Sequence, residues 1–97
     1  EAARIAYRHA LALDPYFLRA RFRLGRLLLR ANHTEAAMAV LEENVEHRYP
    51  SNRLTLNYFR LLSRMHEALE NPDKAAHYRK RLQEVAGKPE PDLPAGR

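Results

Sequence analysis

Four arginines, Arg19, Arg23, Arg26 and Arg30, follow one another at steps of four, three and four residues. On a helix such steps bring side chains onto a single face. A row of guanidiniums offers planar forks suited to carboxylates and phosphates. Arg21 adds a fifth cation to the same stretch, and no acidic residue lies between Pro15 and Thr34. The next stretch has the opposite balance, with Glu35, Glu42, Glu43 and Glu46 set against Arg48. The arginines therefore have two uses open to them: a ligand-facing surface, or a solvated face internally paired with those glutamates. Surface pairs of that kind contribute about 0–1 kcal/mol each.

Other reactive residue types do not assemble into a catalytic pattern. His9, His33, His47, His66 and His77 are scattered, and no two stand three or four residues apart as a helical metal site requires. His66-Glu67 lacks the second histidine of a metalloprotease helix. Glu42, Glu43 and Glu46 form a carboxylate cluster, but an exposed helix face does not drive carboxylate pKa values apart as catalysis needs. Gly25, Gly87 and Gly96 are isolated, so there is no glycine-rich phosphate loop. Tyr7, Tyr16, Tyr49, Tyr58 and Tyr78 fall on apolar stripes or at helix ends, where packing accounts for them. With no cysteine, disulfides, thiolate catalysis and cysteine-ligated zinc are excluded. The expectation is a protein with no catalytic residue, no metal and no cofactor.

Five helical segments must position these groups. The first covers residues 1–13, with Ala3, Tyr7, Ala10 and Leu11 on one face, and Asp14-Pro15 stops it. Asp14 is a candidate N-cap for the second, 16–31, whose apolar stripe is Ala20, Leu24, Leu27, Leu28 and Ala31. Thr34 is a candidate cap for the third, 35–48, with Ala37, Val40, Leu41, Asn44 and Val45 on one side. Ser51 or Asn52 caps the fourth, 53–70, whose stripe is Leu54, Tyr58, Leu61, Leu62, Met65 and Leu69. Asn71-Pro72 opens the fifth, 72–86, with Ala75, Tyr78, Leu82 and Val85 inward. Residues 87–97 hold three prolines and two glycines and are expected to be a flexible tail. Nothing alternates like a strand, so the class is all-α.

A chain of 97 residues makes one small domain, here over 1–86, with a thin core or one shared with neighbours. Apolar residues at 45% and charged residues at 30% give the balance of a soluble globular domain. No apolar run approaches the roughly 18 residues needed to span a bilayer, and the charged opening is not a signal peptide. A soluble protein of bacterial cytoplasm or periplasm is the expectation. The formal charge of +5 favours an acidic partner, although 14 of the 17 basic residues are arginine, which a GC-rich genome would also produce. The chain has no starting Met and is expected to be a piece of a longer one.

Laid over itself, the chain matches at an offset of 34: Glu1-Ala2-Ala3 on Glu35-Ala36-Ala37, Tyr7 on Leu41, Ala10 on Asn44 and Leu11 on Val45. Such a period signals a solenoid. The unit from Leu18, with Leu24-Gly25, Leu28, Ala37, Leu41 and closing Pro50, resembles the tetratricopeptide repeat. Ala3, Tyr7, Ala10-Leu11 and Leu13-Asp14-Pro15 resemble the second helix and terminator of the preceding unit. Gly25 and Ala37 are small where two antiparallel helices approach. Arg21 stands where the family has a large aromatic, and Asn44 where it has alanine. The third unit is degenerate, its second helix lying 38 or 39 residues beyond its counterpart and its first helix lacking glycine.

The resemblance implies a right-handed α-solenoid of about two and a half repeats, in which first helices line a concave groove. That would place Arg19, Phe22, Arg23, Arg26, Leu29 and Arg30 in the groove, with Leu56, Phe59, Arg60 and Ser63 at equivalent places in the third unit. The implied role is a protein–protein interaction scaffold holding a partner's acidic or C-terminal segment. The family's lysine–asparagine carboxylate clamp has no counterpart in the second helix. Nucleic-acid binding through the arginines is the alternative, weakened by the glutamates of helix three and by the lack of an aromatic ladder. A structural spacer within a longer array is another. Because the first segment resembles a second helix without its partner, Tyr7, Ala10 and Leu11 should lack cover, and self-association through that helix is expected.

Overall fold

The computed structural model describes residues 1–87, which form five α-helices and no strand. These are α1 (Ala2–Leu13), α2 (Leu18–Arg30), α3 (Thr34–Glu42), α4 (Arg53–Ala68) and α5 (Pro72–Ala86). The expected tail lies outside the described residues, apart from Gly87, which ends α5. The described residues divide into two compact units, the first covering Glu1–Arg48 and the second beginning at Tyr49.

In the first unit α1 packs on α2, and α2 on α3. The turn after α1 is built by Asp14 and Pro15. Asp14 Oδ1 accepts from the Tyr16 amide at 3.0 Å, and the Asp14 carbonyl accepts from the Phe17 amide at 3.1 Å. Aspartate first and proline second is the preferred order for such a turn. The turn consumes Asp14, so the N-cap position of α2 passes to Phe17, with no side-chain cap. This is why α2 begins at Leu18 rather than at residue 16.

Three residues join α2 to α3, a connection too short for anything but an antiparallel hairpin. Asn32 takes the left-handed conformation, φ 64°. Its amide donates to the Leu29 carbonyl and the His33 amide to the Leu28 carbonyl, at 3.0 and 2.9 Å. This paired closure satisfies two carbonyls that the helix end would otherwise leave without partners. Thr34 is the first residue of α3, and His33 holds the cap position without a side-chain bond. The core of the unit is Leu24, Leu28 and Ala37, with Tyr7, Leu11, Leu29 and Val40 packed against it. Tyr7, Ala10 and Leu11 are half-buried, and no residue of α1 is fully buried.

α3 is shorter than the sequence pattern suggests, ending at Glu42 rather than at residue 48. Glu43 is extended, φ −65° and ψ 129°, and Asn44 is left-handed at φ 58°. The apolar periodicity persisted past the true end because Val45, in the turn that follows, is itself buried.

The second unit is the α4–α5 hairpin. Asn52 caps α4, its side-chain oxygen accepting from the Thr55 amide at 2.9 Å. Pro72 occupies the first turn of α5, where a missing N–H costs nothing. Tyr78 lies stacked beside Phe59 and His66, with centroids 6.2 and 5.5 Å away, and Arg81 covers the Phe59 ring at 4.7 Å. The hairpin closes as the first one does. Glu70 is left-handed at φ 57°, its amide donates to the Glu67 carbonyl, and the Asn71 amide donates to the His66 carbonyl.

Matching the two closures, Asn32 with Glu70, sets the register between hairpins at 38 residues. At that offset Leu24 pairs with Leu62, Leu28 with His66 and Ala37 with Ala75, and all six are buried. Gly25 pairs with Ser63, and Arg21 with Phe59. The second hairpin thus has a small residue, Ser63, at the place that lacked a glycine.

Two predictions follow from the backbone. A Cβ on Gly25 would lie 2.5 Å from Leu41 Cδ2 and 2.6 Å from its Cγ, and Leu41 is fully buried. Gly25→Ala should therefore lower unfolding stability by about 1–2 kcal/mol in urea titration, overpacking outweighing the gain in helix propensity. Glu70, a β-carbon residue at positive φ, behaves in the opposite way. Glu70→Gly should raise stability by about 0.5–1 kcal/mol in the same assay.

Candidate functional site

At 100° per residue, Arg19, Arg23, Arg26 and Arg30 fall within about 60° of arc on α2. All four are exposed. The buried residues of the helix, Leu18, Ala20, Arg21, Leu24, Gly25 and Leu28, occupy the opposite side. The same amphipathic division that seats α2 on its neighbours therefore drives the four arginines into solvent. Among the described residues Arg19, Arg23 and Arg30 make no hydrogen bond or ion pair. Arg26 lies over the Phe22 ring, its Cζ 5.5 Å from the centroid. Phe22 and Leu29 are half-buried along one flank of the row. Like charges at these spacings repel by a few tenths of a kcal/mol per pair, so the row opposes helix stability slightly.

The fifth arginine is an interior residue. Arg21 is only 1% exposed. Its Nη1 donates to the Val40 carbonyl at 2.9 Å and to Glu43 Oε1 at 3.0 Å, and its Nη2 donates to the Pro15 carbonyl at 2.6 Å. One guanidinium thereby fastens the turn before α2 to the C-terminal end of α3. The Val40 carbonyl would accept from Asn44 if α3 continued, and Arg21 supplies the bond in its place. The expectation that arginines of this helix pair with the glutamates following it is met here by Arg21 and Glu43. Spacing could have separated Arg21 from the row, because it lies three and seven residues before Leu24 and Leu28.

In α4 the residues expected beside the row are placed differently. Arg60 is exposed and donates to Asn57 Oδ1 at 3.1 Å, and Leu56 is half-buried. Phe59 and Ser63 are buried, at 1% and 4% exposure. Phe59 packs beside Tyr58 and Tyr78, and the Ser63 hydroxyl donates to the Arg60 carbonyl at 2.9 Å. Leu56, Phe59, Arg60 and Ser63 lie 37 residues beyond Arg19, Phe22, Arg23 and Arg26, whereas the hairpins correspond at 38. One residue is 100° on a helix, enough to turn an outward position into the core. At the correct offset the counterparts of Arg19, Phe22, Arg23, Arg26 and Arg30 are Asn57, Arg60, Leu61, Arg64 and Ala68. Glu67, the counterpart of Leu29, is ion-paired with Arg79 of α5.

The histidines serve packing where they are engaged. His47 stacks on Tyr16 with centroids 4.0 Å apart, His66 is buried against Tyr78, and His77 meets Tyr78 edge-on. Among the described residues no three His, Cys, Asp or Glu side chains gather as a metal site. No helix among them is long and apolar enough to cross a membrane.

A family model described as Tetratricopeptide repeat matches residues 1–49, the span of α1, α2 and α3. No curated protein and no solved structure matches the chain.

Arg21 and Glu43 contribute unequally. Arg21→Lys leaves one ammonium for acceptors on two separate segments, and should cost about 2–4 kcal/mol in chemical denaturation. Glu43, with a side chain 69% exposed, is the minor partner. Glu43→Gln should cost under about 1 kcal/mol.

Proposed function

This chain belongs to the tetratricopeptide repeat family, and on that footing we propose that it is a protein–protein interaction scaffold that holds an acidic segment of a partner protein against α2. Repeats of this family generally mediate contacts between proteins, and members are typically non-enzymatic. The proposed contact residues are Arg19, Phe22, Arg23, Arg26, Leu29 and Arg30, lining a concave, arginine-rich groove. The observation that carries the reading is the isolation of the row. Four arginines share the solvent face of α2, and three of them have no partner among the described residues. Beyond the Arg26 contact with Phe22 and the place of Arg30 in the last turn of α2, folding gains little from this arrangement, whereas a carboxylate-bearing partner would relieve its repulsion and accept its forked hydrogen bonds. α4 carries no such row: its Arg60 is bonded to Asn57, its Glu67 is paired with Arg79, and only Arg53 and Arg64 of its exposed arginines stand without a partner among the described residues.

The test is a double charge reversal, Arg23→Glu with Arg26→Glu, in the full chain. Affinity for an acidic peptide, followed by fluorescence anisotropy, should fall by about tenfold or more. Thermal stability should stay nearly unchanged, because both side chains project away from the core. The wild-type affinity should also decline with added salt. Unaltered affinity in the double variant would remove α2 as the binding surface.

A further inference from the structure

The α2 face carries two parallel rows, and their spacing restricts what can lie along it. At 1.5 Å per residue, Arg19, Arg23, Arg26 and Arg30 are separated along the helix axis by about 6, 4.5 and 6 Å. Beside them Phe22 and Leu29 are seven residues apart, about 10.5 Å, and close to the same line. Both are half-buried and so present part of their apolar surface.

Resting on the function proposed above, we propose that the partner segment is an acidic amphipathic α-helix laid along α2. Its carboxylates face the four arginines, and two apolar side chains seven residues apart rest against Phe22 and Leu29. Only a helix reproduces both rows at once. Acidic residues stepped four, three and four along a partner helix repeat the uneven spacing of the arginines, and a pair seven apart repeats the apolar spacing. In an extended segment, side chains on one face recur evenly at about 6.7 Å. A distance of 10.5 Å then corresponds to about three residues, whose side chains point to opposite faces. An extended partner meets Phe22 or Leu29 but not both.

The surface is poorly suited to single-stranded nucleic acid, which binds through aromatic platforms open to stacking bases. The Phe22 ring has Arg26 over it, and Leu29 offers no aromatic face. Carboxylate is also the acceptor that this chain's interior already pairs with arginine, in Arg21 and Glu43.

The experiment titrates the full chain with four fluorescent probes. The first is a helix-forming peptide with glutamates stepped four, three and four and leucines seven apart. The second is the same peptide with a central proline. The third has identical composition, with the glutamates reordered so that they no longer share a face. The fourth is a single-stranded oligonucleotide of similar charge. The first peptide should bind about tenfold more tightly than the second and third, and gain helical circular dichroism on binding. Replacing both of its leucines with alanine should weaken it several-fold, and Phe22→Ala with Leu29→Ala in the protein should do the same. Equal binding of the proline peptide would overturn the helical partner while leaving the acidic-segment reading in place. Failure of all three peptides would overturn both. Tighter binding of the oligonucleotide would overturn both in favour of nucleic acid.

Discussion

A guanidinium carries a permanent charge, and removing it from water is costly unless its donors find acceptors. In a unit of three short helices Arg21 offsets that cost through its two terminal nitrogens, which reach the Pro15 carbonyl ahead of α2, the Val40 carbonyl in α3 and Glu43, while its buried Nε has no partner among the described residues. Both carbonyls belong to places where the backbone changes direction, and each would otherwise be short of a donor. The ends of α2 and α3 are therefore tied by the same side chain. In the family pattern a large aromatic at this position fills space. Here the position also satisfies backbone polarity, and α3 can stop at Glu42 without an exposed, frayed turn. The second hairpin retains the apolar solution, with Phe59 at the matching position covered by Arg81.

The second constraint is the approach of α2 to α3 at Gly25. A fully buried Leu41 side chain takes up the volume that a β-carbon would claim. Ala37, with no exposed surface, keeps the two helices close to Leu24 and Leu28. With the turn geometry at Asn32 setting direction, this contact sets the distance. Direction and distance together fix how α2 is rotated about its axis. That rotation decides which arginines are inside and which outside. The surface row is thus a consequence of core packing rather than of any contact the row itself makes.

Much of the architecture was legible from periodicity and punctuation. Helix number, the hairpin breaks, the roles of Gly25 and Ala37 and the Asn52 cap follow from local spacing, which short-range physics dictates. The errors have physical causes. The Asp14 cap was displaced because Pro15 commits the aspartate to a turn. α3 looked longer because Val45 is buried outside a helix, and apolar periodicity registers burial rather than backbone conformation. Arg21 stands outside the four-arginine row, and its spacing to Leu24 and Leu28 already puts it on the buried face, but its charge gives no sign of burial. For α4 the offset was one residue short, because the turn residue that sets the register is glutamate in the second hairpin, and glutamate carries no left-handed signal. A slip of one residue then sent Phe59 and Ser63 to the wrong side.

The contrast between α2 and α4 bears on why the arginine row exists. Both helices have an amphipathic division, a buried hairpin face and the same closure, so the fold asks the same of each. On α4 two of the solvent-side charges are answered within the unit, Arg60 by Asn57 and Glu67 by Arg79, while Arg53 and Arg64 stand exposed without such a partner among the described residues. On α2 no acidic residue occurs from Leu18 to Arg30, and the nearby Glu43 is directed to the interior arginine. A charged surface needed only for solubility gains most from mixed signs, which avoid self-repulsion. A surface of one sign steers and retains a partner of the other. The Arg21–Glu43 pair sharpens this separation, because by engaging Glu43 it leaves the field above α2 less neutralised than the composition of the unit implies.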